Sequence, residues 1–361
     1  RKLLFLCAAL LSSATLLFAD DINYLTFTAE EAGSTVTLNK NGSPNTATLY
    51  YSTDGSTWSE YTYGTKLTIA NVGEKIMFYG KNEKFSKDNS NNYYFRLTGK
   101  IAASGSIMSL ILNSDNSEKT TVPDYAFCSL FGNHTSDANK NALTQAPELP
   151  ATKVNQYGYW KMFYQCKALT EAPELPATTI STYSYAYMFQ YCSALTKAPE
   201  IKAMSLGNYC CDYMFANCTT LVEGPSILPA TSWGNSGNEY QYCYRSMFDG
   251  CIALTKAPKL PATSLTSSKN QYNKMFYGCE SLTYIDMDAP GSLNGNNSQN
   301  WVQGVAAKGY FVCPKPAYTP SAGNNTYPSG WTLVYKYSIA DGTAFSADIT
   351  KDKTYHITVT G

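Results

Sequence analysis

The sequence predicts a mainly β protein, at most α+β, in which a small β-sandwich precedes a solenoid of stacked repeats. Three observations predict this architecture: short alternating apolar runs near the N-terminus, turn residues between those runs, and a motif repeated through the middle of the chain. At 361 residues the chain has room for one compact domain and one elongated domain.

The composition excludes several classes of function. Charged residues make up 15% of the chain, and 27 basic residues balance 27 acidic ones, so no overall field attracts nucleic acid or membrane. Arginine occurs at Arg1, Arg96 and Arg245, which leaves few guanidinium groups for phosphate recognition. His134 and His356 are the two histidines in the sequence. We therefore expect no nucleic-acid partner, no metal site and no cofactor.

Residues 1–19 read as a signal peptide. Arg1 and Lys2 precede an apolar stretch of 16 residues, Leu3 to Phe18, and acidic residues follow Ala19. The stretch is shorter than the roughly 20 residues that a membrane-spanning helix needs. We expect cleavage after Ala19, a secreted or cell-surface location and no membrane span.

Residues 20–112 predict the β-sandwich-like domain. Apolar residues alternate in pairs such as Leu25/Phe27 and Ile76/Phe78, and the turn sequences Asn41-Gly42 and Asp54-Gly55 separate such runs. Trp58 follows a predicted hairpin tip. It suits either packing against the turn or a binding edge.

Residues 113–290 predict the solenoid, because Met-Phe-x-x-Cys occurs five times there. The motif begins at Met162, Met188, Met214, Met247 and Met275. Successive offsets are 26, 26, 33 and 28 residues, which is the period of a repeat architecture. A second motif, Ala-Leu-Thr-x-Ala-Pro-Glu-Leu-Pro-Ala-Thr, occurs at 142–152 and 168–178. We expect each unit to have an extended strand side and, before each cysteine, one or two helical turns.

The motif places five cysteines at one repeat position, where their side chains point the same way and form a ladder of buried thiols. They are Cys166, Cys192, Cys218, Cys251 and Cys279. A disulfide needs Cβ atoms near 3.8 Å that face each other, so we expect these thiols to stay unbridged. Pairing is open for the cysteines off this ladder, Cys128, Cys210, Cys211, Cys243 and Cys313.

The repeated Met-Phe-x-x-Cys-x-x-Leu-Thr-x-Ala-Pro-x-Leu-Pro-Ala-Thr resembles the BspA-like leucine-rich-repeat surface proteins of oral and gut bacteria. The resemblance covers roughly residues 122–290 and extends to a closing segment with Trp301, Gly309 and Trp331. It implies a leucine-rich-repeat-like, right-handed solenoid that is secreted or surface-displayed, with adhesion to host macromolecules in some members. We expect residues 291–335 to form a C-terminal cap and 336–361 a β-rich tail.

Two sets of aromatic residues are candidate binding residues. Tyr157, Tyr183, Tyr209 and Tyr242 stand five positions before each motif methionine, and Tyr159, Tyr185, Tyr244 and Tyr272 stand three before. These columns suit either packing between coils or a recognition surface. The 33-residue spacing adds a loop in which Trp233 and Tyr240 are either binding anchors or packing residues.

No catalytic constellation is present in the sequence. Glu148, Glu174 and Glu200 occupy equivalent strand positions; paired carboxylates serve glycosidases, but a repeated column is more simply a solvated strand face. The sequence predicts a non-enzymatic, adhesin-like interaction protein that binds a protein or glycan through its repeats. The alternative is a carbohydrate-binding or carbohydrate-active secreted protein that uses the N-terminal β domain.

Overall fold

The computed structural model describes residues 22–44, 46–114, 117–132, 142–230, 241–265, 269–314 and 321–336. It is nearly all β and contains a β-solenoid of about six turns. Within these ranges there is no α-helix, and two short 3₁₀ segments lie at Ile107–Leu110 and Pro290–Ser292. The predicted signal peptide lies outside the described residues, as does the predicted tail beyond Lys336.

The N-terminal part contributes eight strands to two sheets. They are β1 (Leu25–Ala29), β2 (Ser34–Asn41), β3 (Tyr50–Ser52), β4 (Ser59–Glu60), β5 (Leu67–Ile69), β6 (Lys75–Tyr79), β7 (Asn92–Thr98) and β8 (Ile101–Ser104). One sheet has the order β8-β1-β6-β3-β4, and the other has the order β5-β2-β7. Phe27 and Phe78 of the first sheet contact Phe95 of the second at ring distances of 4.8 and 5.4 Å.

The remaining strands stack in parallel along the solenoid. They are β9 (Thr121–Val122), β10 (Leu143–Gln145), β11 (Lys153–Val154), β12 (Thr179–Ile180), β13 (Ser205–Leu206), β14 (Tyr284–Asp286), β15 (Tyr310–Pro314) and β16 (Thr332–Lys336). Their sheets have the orders β13-β12-β11-β9 and β14-β15-β16. Lys153 lies opposite Thr179, and Thr179 lies opposite Ser205, so the 26-residue spacing of the motif is one turn of the solenoid.

Between the strands, each coil follows a path that we call the turn ribbon, residues 155–166 and the equivalent residues of other coils. The amides of Trp160 and Met162 each donate to the carbonyl three residues earlier, at 3.2 and 3.1 Å. The alternate amides, of Tyr159 and Phe163, donate to carbonyls of the next coil, 25 residues later, at 3.0 and 2.9 Å. Alternate backbone donors thus close turns within a coil and bind adjacent coils together.

The expected helical turns before each cysteine were wrong. In the third coil, Met188, Phe189 and Cys192 are buried at positions 0, 1 and 4, a spacing that fits both a helix of 3.6 residues per turn and a ribbon of four. The backbone decides between them, because every fourth residue has a positive φ: 57° at Tyr183, 59° at Tyr187 and 63° at Tyr191. An α-helix excludes that conformation.

A column of stacked phenylalanine rings runs along the interior of the ribbon. Neighbouring rings are 5.4–5.6 Å apart and within 11° of parallel. The column contains Phe131, Phe163, Phe189, Phe215, Phe248 and Phe276. Phe95 of β7 extends it at one end, 5.7 Å from Phe131, and Trp301 closes the other, 5.9 Å from Phe276. Ring stacking therefore continues from the N-terminal sheets into the solenoid.

Backbone pairing also crosses the predicted domain boundary at 112/113. Strand β10 of the first coil pairs in parallel with β8, with Leu143 opposite Ile101, and the amide of Phe95 donates to the carbonyl of Leu130 at 2.7 Å. The N-terminal sheets thus cover the first coil. At the other end, β15 and β16 continue the parallel ladder of β14 through the segment expected to be the cap.

The five repeated cysteines line the buried side of the ribbon as free thiols. Each sulfur lies 3.1–3.3 Å from the carbonyl oxygen of a phenylalanine in the preceding coil, so the S–H group can donate to it. For example, Cys192 Sγ lies 3.1 Å from the oxygen of Phe163, which also accepts the amide hydrogen of Cys166. The five off-ladder cysteines, whose pairing was left open, are also buried and free.

The stacked phenylalanine column generates a stability prediction. Phe189→Ala removes a fully buried ring with a stacked partner on each side, and we expect a loss of about 3–5 kcal/mol in the free energy of unfolding, measured by urea titration. The exposed Lys167 provides the control, since Lys167→Ala is expected to change that free energy by less than about 0.5 kcal/mol. Equal, small effects of both substitutions would contradict the stacked core.

Candidate functional site on the turn ribbon

Five tyrosines stack along the outer side of the turn ribbon, and we call this row the tyrosine ladder. Neighbouring ring centroids are 4.5–4.9 Å apart, with interplanar angles of 7–15°. The ladder consists of Tyr125, Tyr157, Tyr183, Tyr209 and Tyr242. All five side chains are partly exposed, so the row presents one continuous aromatic strip to solvent.

The backbone of the ribbon fixes the position of each ladder ring. All five tyrosines have φ between 55° and 60°, a left-handed conformation that is uncommon for aromatic residues. The amide of Tyr183 donates to the carbonyl of Asn208 in the next coil at 2.9 Å, and the same bond recurs at Tyr157 with Thr182. Because this bond sets the spacing between coils, the rings are held at stacking distance before any ligand arrives.

A second, shorter row lies four residues further along the ribbon. Tyr187 and Tyr213 stack at 5.2 Å and 5°. In the preceding coil Lys161 occupies the same position, with its ammonium nitrogen 4.4 Å from the ring centroid of Trp160 and 5.4 Å from that of Tyr187. Burial lowers the pKa of Lys161 below its ordinary value. The two rows form a broad aromatic face with this cation embedded in it.

A buried ion pair joins two coils beneath the ladder. Asp212 is fully buried, and Arg245, at the equivalent position of the next coil, donates to it through Nε and Nη2 at 2.8 and 2.6 Å. The guanidinium carbon also lies 4.6 Å from the ring centroid of Tyr242 and 5.4 Å from that of Tyr209. Arg245 is thus paired with both a carboxylate and the ladder, and it spans the coil that contains the 33-residue spacing.

The structure separates the two tyrosine columns that the sequence left undecided. Tyr157, Tyr183, Tyr209 and Tyr242 lie in the ladder. The other column, Tyr159, Tyr185, Tyr244 and Tyr272, is interior, with 0–1% of each side chain exposed. Trp233 and Tyr240 lie outside the described residues.

Sequence reasoning missed several members of this face. Tyr125 was overlooked because the opening repeat was aligned on Cys128, whereas stacking aligns Phe131 with Phe163. The four-residue spacing of Tyr183, Tyr187 and Tyr191 is the signal that could have shown the second row. The Asp212–Arg245 pair needs the 33-residue register and had no sequence motif.

The ladder phenols are suited to binding rather than to acid–base chemistry. Burial raises the pKa of Tyr183 and Tyr209 above the ordinary tyrosine value, so these hydroxyls are neutral at physiological pH and can donate as well as accept hydrogen bonds. Among the described residues, no group of three or more His, Cys, Asp or Glu side chains is placed to hold a metal ion.

The repeated glutamates lie on a different part of the coil, at the strands. Glu148, Glu174 and Glu200 are exposed, and Glu200 accepts hydrogen bonds from the amide and hydroxyl of Ser226 at 2.9 and 2.8 Å. Glu174 and Glu200 line an open depression of about 530 Å³ together with Lys197. Lysine thus stands among the glutamates of this solvated face.

Comparison of the chain with protein-family models, with curated proteins and with solved structures returns no match. Over the described ranges, no helix has the length and apolar character needed to cross a membrane.

The buried ion pair generates a pH prediction. Burial raises the pKa of the Asp212 carboxyl from 3.8 to about 6, although the Arg245 guanidinium beside it opposes that rise. Because the folded pKa lies above the unfolded one, the group favours folding most below about pH 4, and this contribution is lost as the pH rises through about 6.

We therefore expect the free energy of unfolding of the wild type to fall between pH 4 and pH 7 by about 2 kcal/mol more than that of Asp212→Asn. Denaturant titrations of both proteins at each pH measure this difference. Parallel curves for the two proteins would show that Asp212 titrates as an ordinary carboxyl.

Proposed function

We propose that this chain is an exported, non-enzymatic interaction protein, adhesin-like, that binds a protein or glycan through the aromatic face of its solenoid. The observation that carries the proposal is the tyrosine ladder: five partly exposed rings, stacked 4.5–4.9 Å apart, on the outside of a rigid ribbon. The interior column already supplies the packing between coils, so the outer row is available to a partner.

Pre-organisation supports a binding role for the ladder. Tyrosine offers a large contact area with few rotatable bonds, and ring stacking with Tyr157 and Tyr209 already restricts Tyr183. A ligand therefore loses little free energy to side-chain ordering when it binds there. The repeated spacing favours an extended partner that contacts several coils at once.

The charges on this face favour a partner that is not a polyanion. Arg245 is held by Asp212, and Lys161 lies against aromatic rings with a lowered pKa, so neither offers a freely hydrated cation to phosphate groups. The chain as a whole has a formal net charge of zero. Aromatic contact and phenol hydrogen bonds are the interactions that remain, and they suit a protein surface or a glycan.

The family, the handedness and the location are parts of the same proposal. The repeated motif supports membership of the BspA-like leucine-rich-repeat surface proteins and a right-handed coil, and the N-terminal sequence supports export. We also propose that the two N-terminal sheets form a β-sandwich. The contacts of Phe27 and Phe78 with Phe95 support this arrangement.

Substitution within the ladder tests the proposed function. The full chain is first screened against immobilised extracellular-matrix proteins and polysaccharides. For the ligand found, we expect Tyr183→Ala and Tyr209→Ala each to weaken binding at least about fivefold, or ~1 kcal/mol, whereas Tyr183→Phe keeps the stacked ring and retains most of the affinity.

Tyr310→Ala is the matched control, because Tyr310 is 46% exposed and lies on β15, outside the ladder. Its affinity should equal that of the wild type. Binding that survives both alanine substitutions in the ladder would place the ligand elsewhere and contradict the proposal.

A further inference from the structure

We propose a second binding site, for a neutral polysaccharide, on the outer face of the N-terminal sheet. The site is an aromatic platform formed by Tyr24, Tyr50, Trp58 and Tyr79. All four side chains are partly exposed, and none belongs to the tyrosine ladder. The inference goes beyond the proposed function, since it concerns different residues and a defined class of ligand.

Strand register places three of the rings in one row. Tyr50 of β3 lies opposite Tyr79 of β6, and their rings stack at 5.1 Å and 21°. Tyr24 immediately precedes β1, whose Leu25 pairs with Phe78, and its ring lies 5.8 Å from that of Tyr79. Leu25 and Phe78 point into the core, so the row of tyrosines lies on the opposite, outer face of the sheet.

A fixed turn places Trp58 against this row. Its ring centroid lies 4.6 Å from that of Tyr24 and 4.7 Å from that of Tyr79. The Asp54 carboxylate accepts the amide hydrogens of Ser56 and Thr57 at 2.8 and 2.7 Å, and these bonds lower the pKa of Asp54. The turn that precedes Trp58 is therefore ordered by its own hydrogen bonds, and the indole position is set in advance.

The ring geometry favours a sugar over a cationic ligand. An aromatic cage holds an ammonium group between separated rings, whereas the rings of Trp58, Tyr24 and Tyr79 are already in contact with one another. A ligand can thus reach only the outer surface of the cluster. A pyranose ring offers a flat face of C–H groups that packs on such a surface.

Polar groups at both ends of the row match the hydroxyl groups of a sugar. Glu60 of β4 lies opposite Tyr50 and is exposed. At the other end, Asn23 donates to the exposed Glu148 carboxylate at 2.8 Å. Carboxylates accept hydrogen bonds from sugar hydroxyls and repel anionic polymers, so the charge of the site favours a neutral glycan.

A nearby third carboxyl group strengthens that argument. Burial raises the pKa of Glu118, and the charge of Glu148 adds to the rise. The two carboxyl groups are thus close enough to interact. The local potential at this end of the platform is negative, which disfavours uronic-acid and sulfated polymers.

Native affinity electrophoresis of the full chain tests the site. The gels contain mixed-linkage β-glucan, xylan or galactomannan as neutral polymers, and polygalacturonate as the anionic one. We expect at least one neutral polymer to retard the wild type and polygalacturonate not to retard it. In the retarding gel, Trp58→Ala is expected to raise the dissociation constant at least tenfold.

Trp160→Ala is the matched control, because Trp160 is also a partly exposed tryptophan in contact with other rings, but on the turn ribbon. It should be retarded like the wild type, as should Tyr183→Ala, whatever the outcome for the ladder ligand. Thermal unfolding of Trp58→Ala near the wild-type temperature shows that this variant is folded, and Trp58→Phe should restore part of the binding.

Three results would overturn the inference. They are no retardation by any neutral polymer, equal retardation of Trp58→Ala and wild type, and retardation by polygalacturonate alone. Loss of retardation in Trp160→Ala with none in Trp58→Ala would assign the polysaccharide to the turn ribbon, which overturns the platform but supports the proposed function.

Discussion

The hydrogen bonds between successive turn ribbons are the constraint on which the rest of this structure depends. Alternate amides, such as those of Tyr159 and Phe163, donate to the next coil, and the amides between them close four-residue turns. A backbone that satisfies its donors in this way needs neither long strands nor helices to build a solenoid. It also fixes the separation of coils along the whole array.

That separation explains why the same residue types recur at equivalent positions. Once coils stand at stacking distance, a ring at one position meets a ring at the same position of the next coil, as Phe163 meets Phe189 inside and Tyr157 meets Tyr183 outside. The inner column stabilises the fold. The outer one extends the same geometry to the surface, so rigidity of the core and regularity of the candidate site have one cause.

How much could be predicted from the sequence depended on which residues carry the period. The motif gave the solenoid and its 26-residue turn, because one cysteine, one phenylalanine and one leucine recur in each unit. It did not distinguish a helix from a four-residue ribbon, since the positions of Met188, Phe189 and Cys192 fit both. The Asp212–Arg245 pair depends on the register across a 33-residue coil, which no local pattern specifies.

Scalar couplings across hydrogen bonds, measured by NMR on the deuterated protein, test the ribbon most directly. The structure predicts a coupling between the amide nitrogen of Phe189 and the carbonyl carbon of Met214, 25 residues away and 2.9 Å from N to O. A coupling from Phe189 to the carbonyl of Tyr185 instead, four residues earlier, is the signature of an α-helix and would contradict the account.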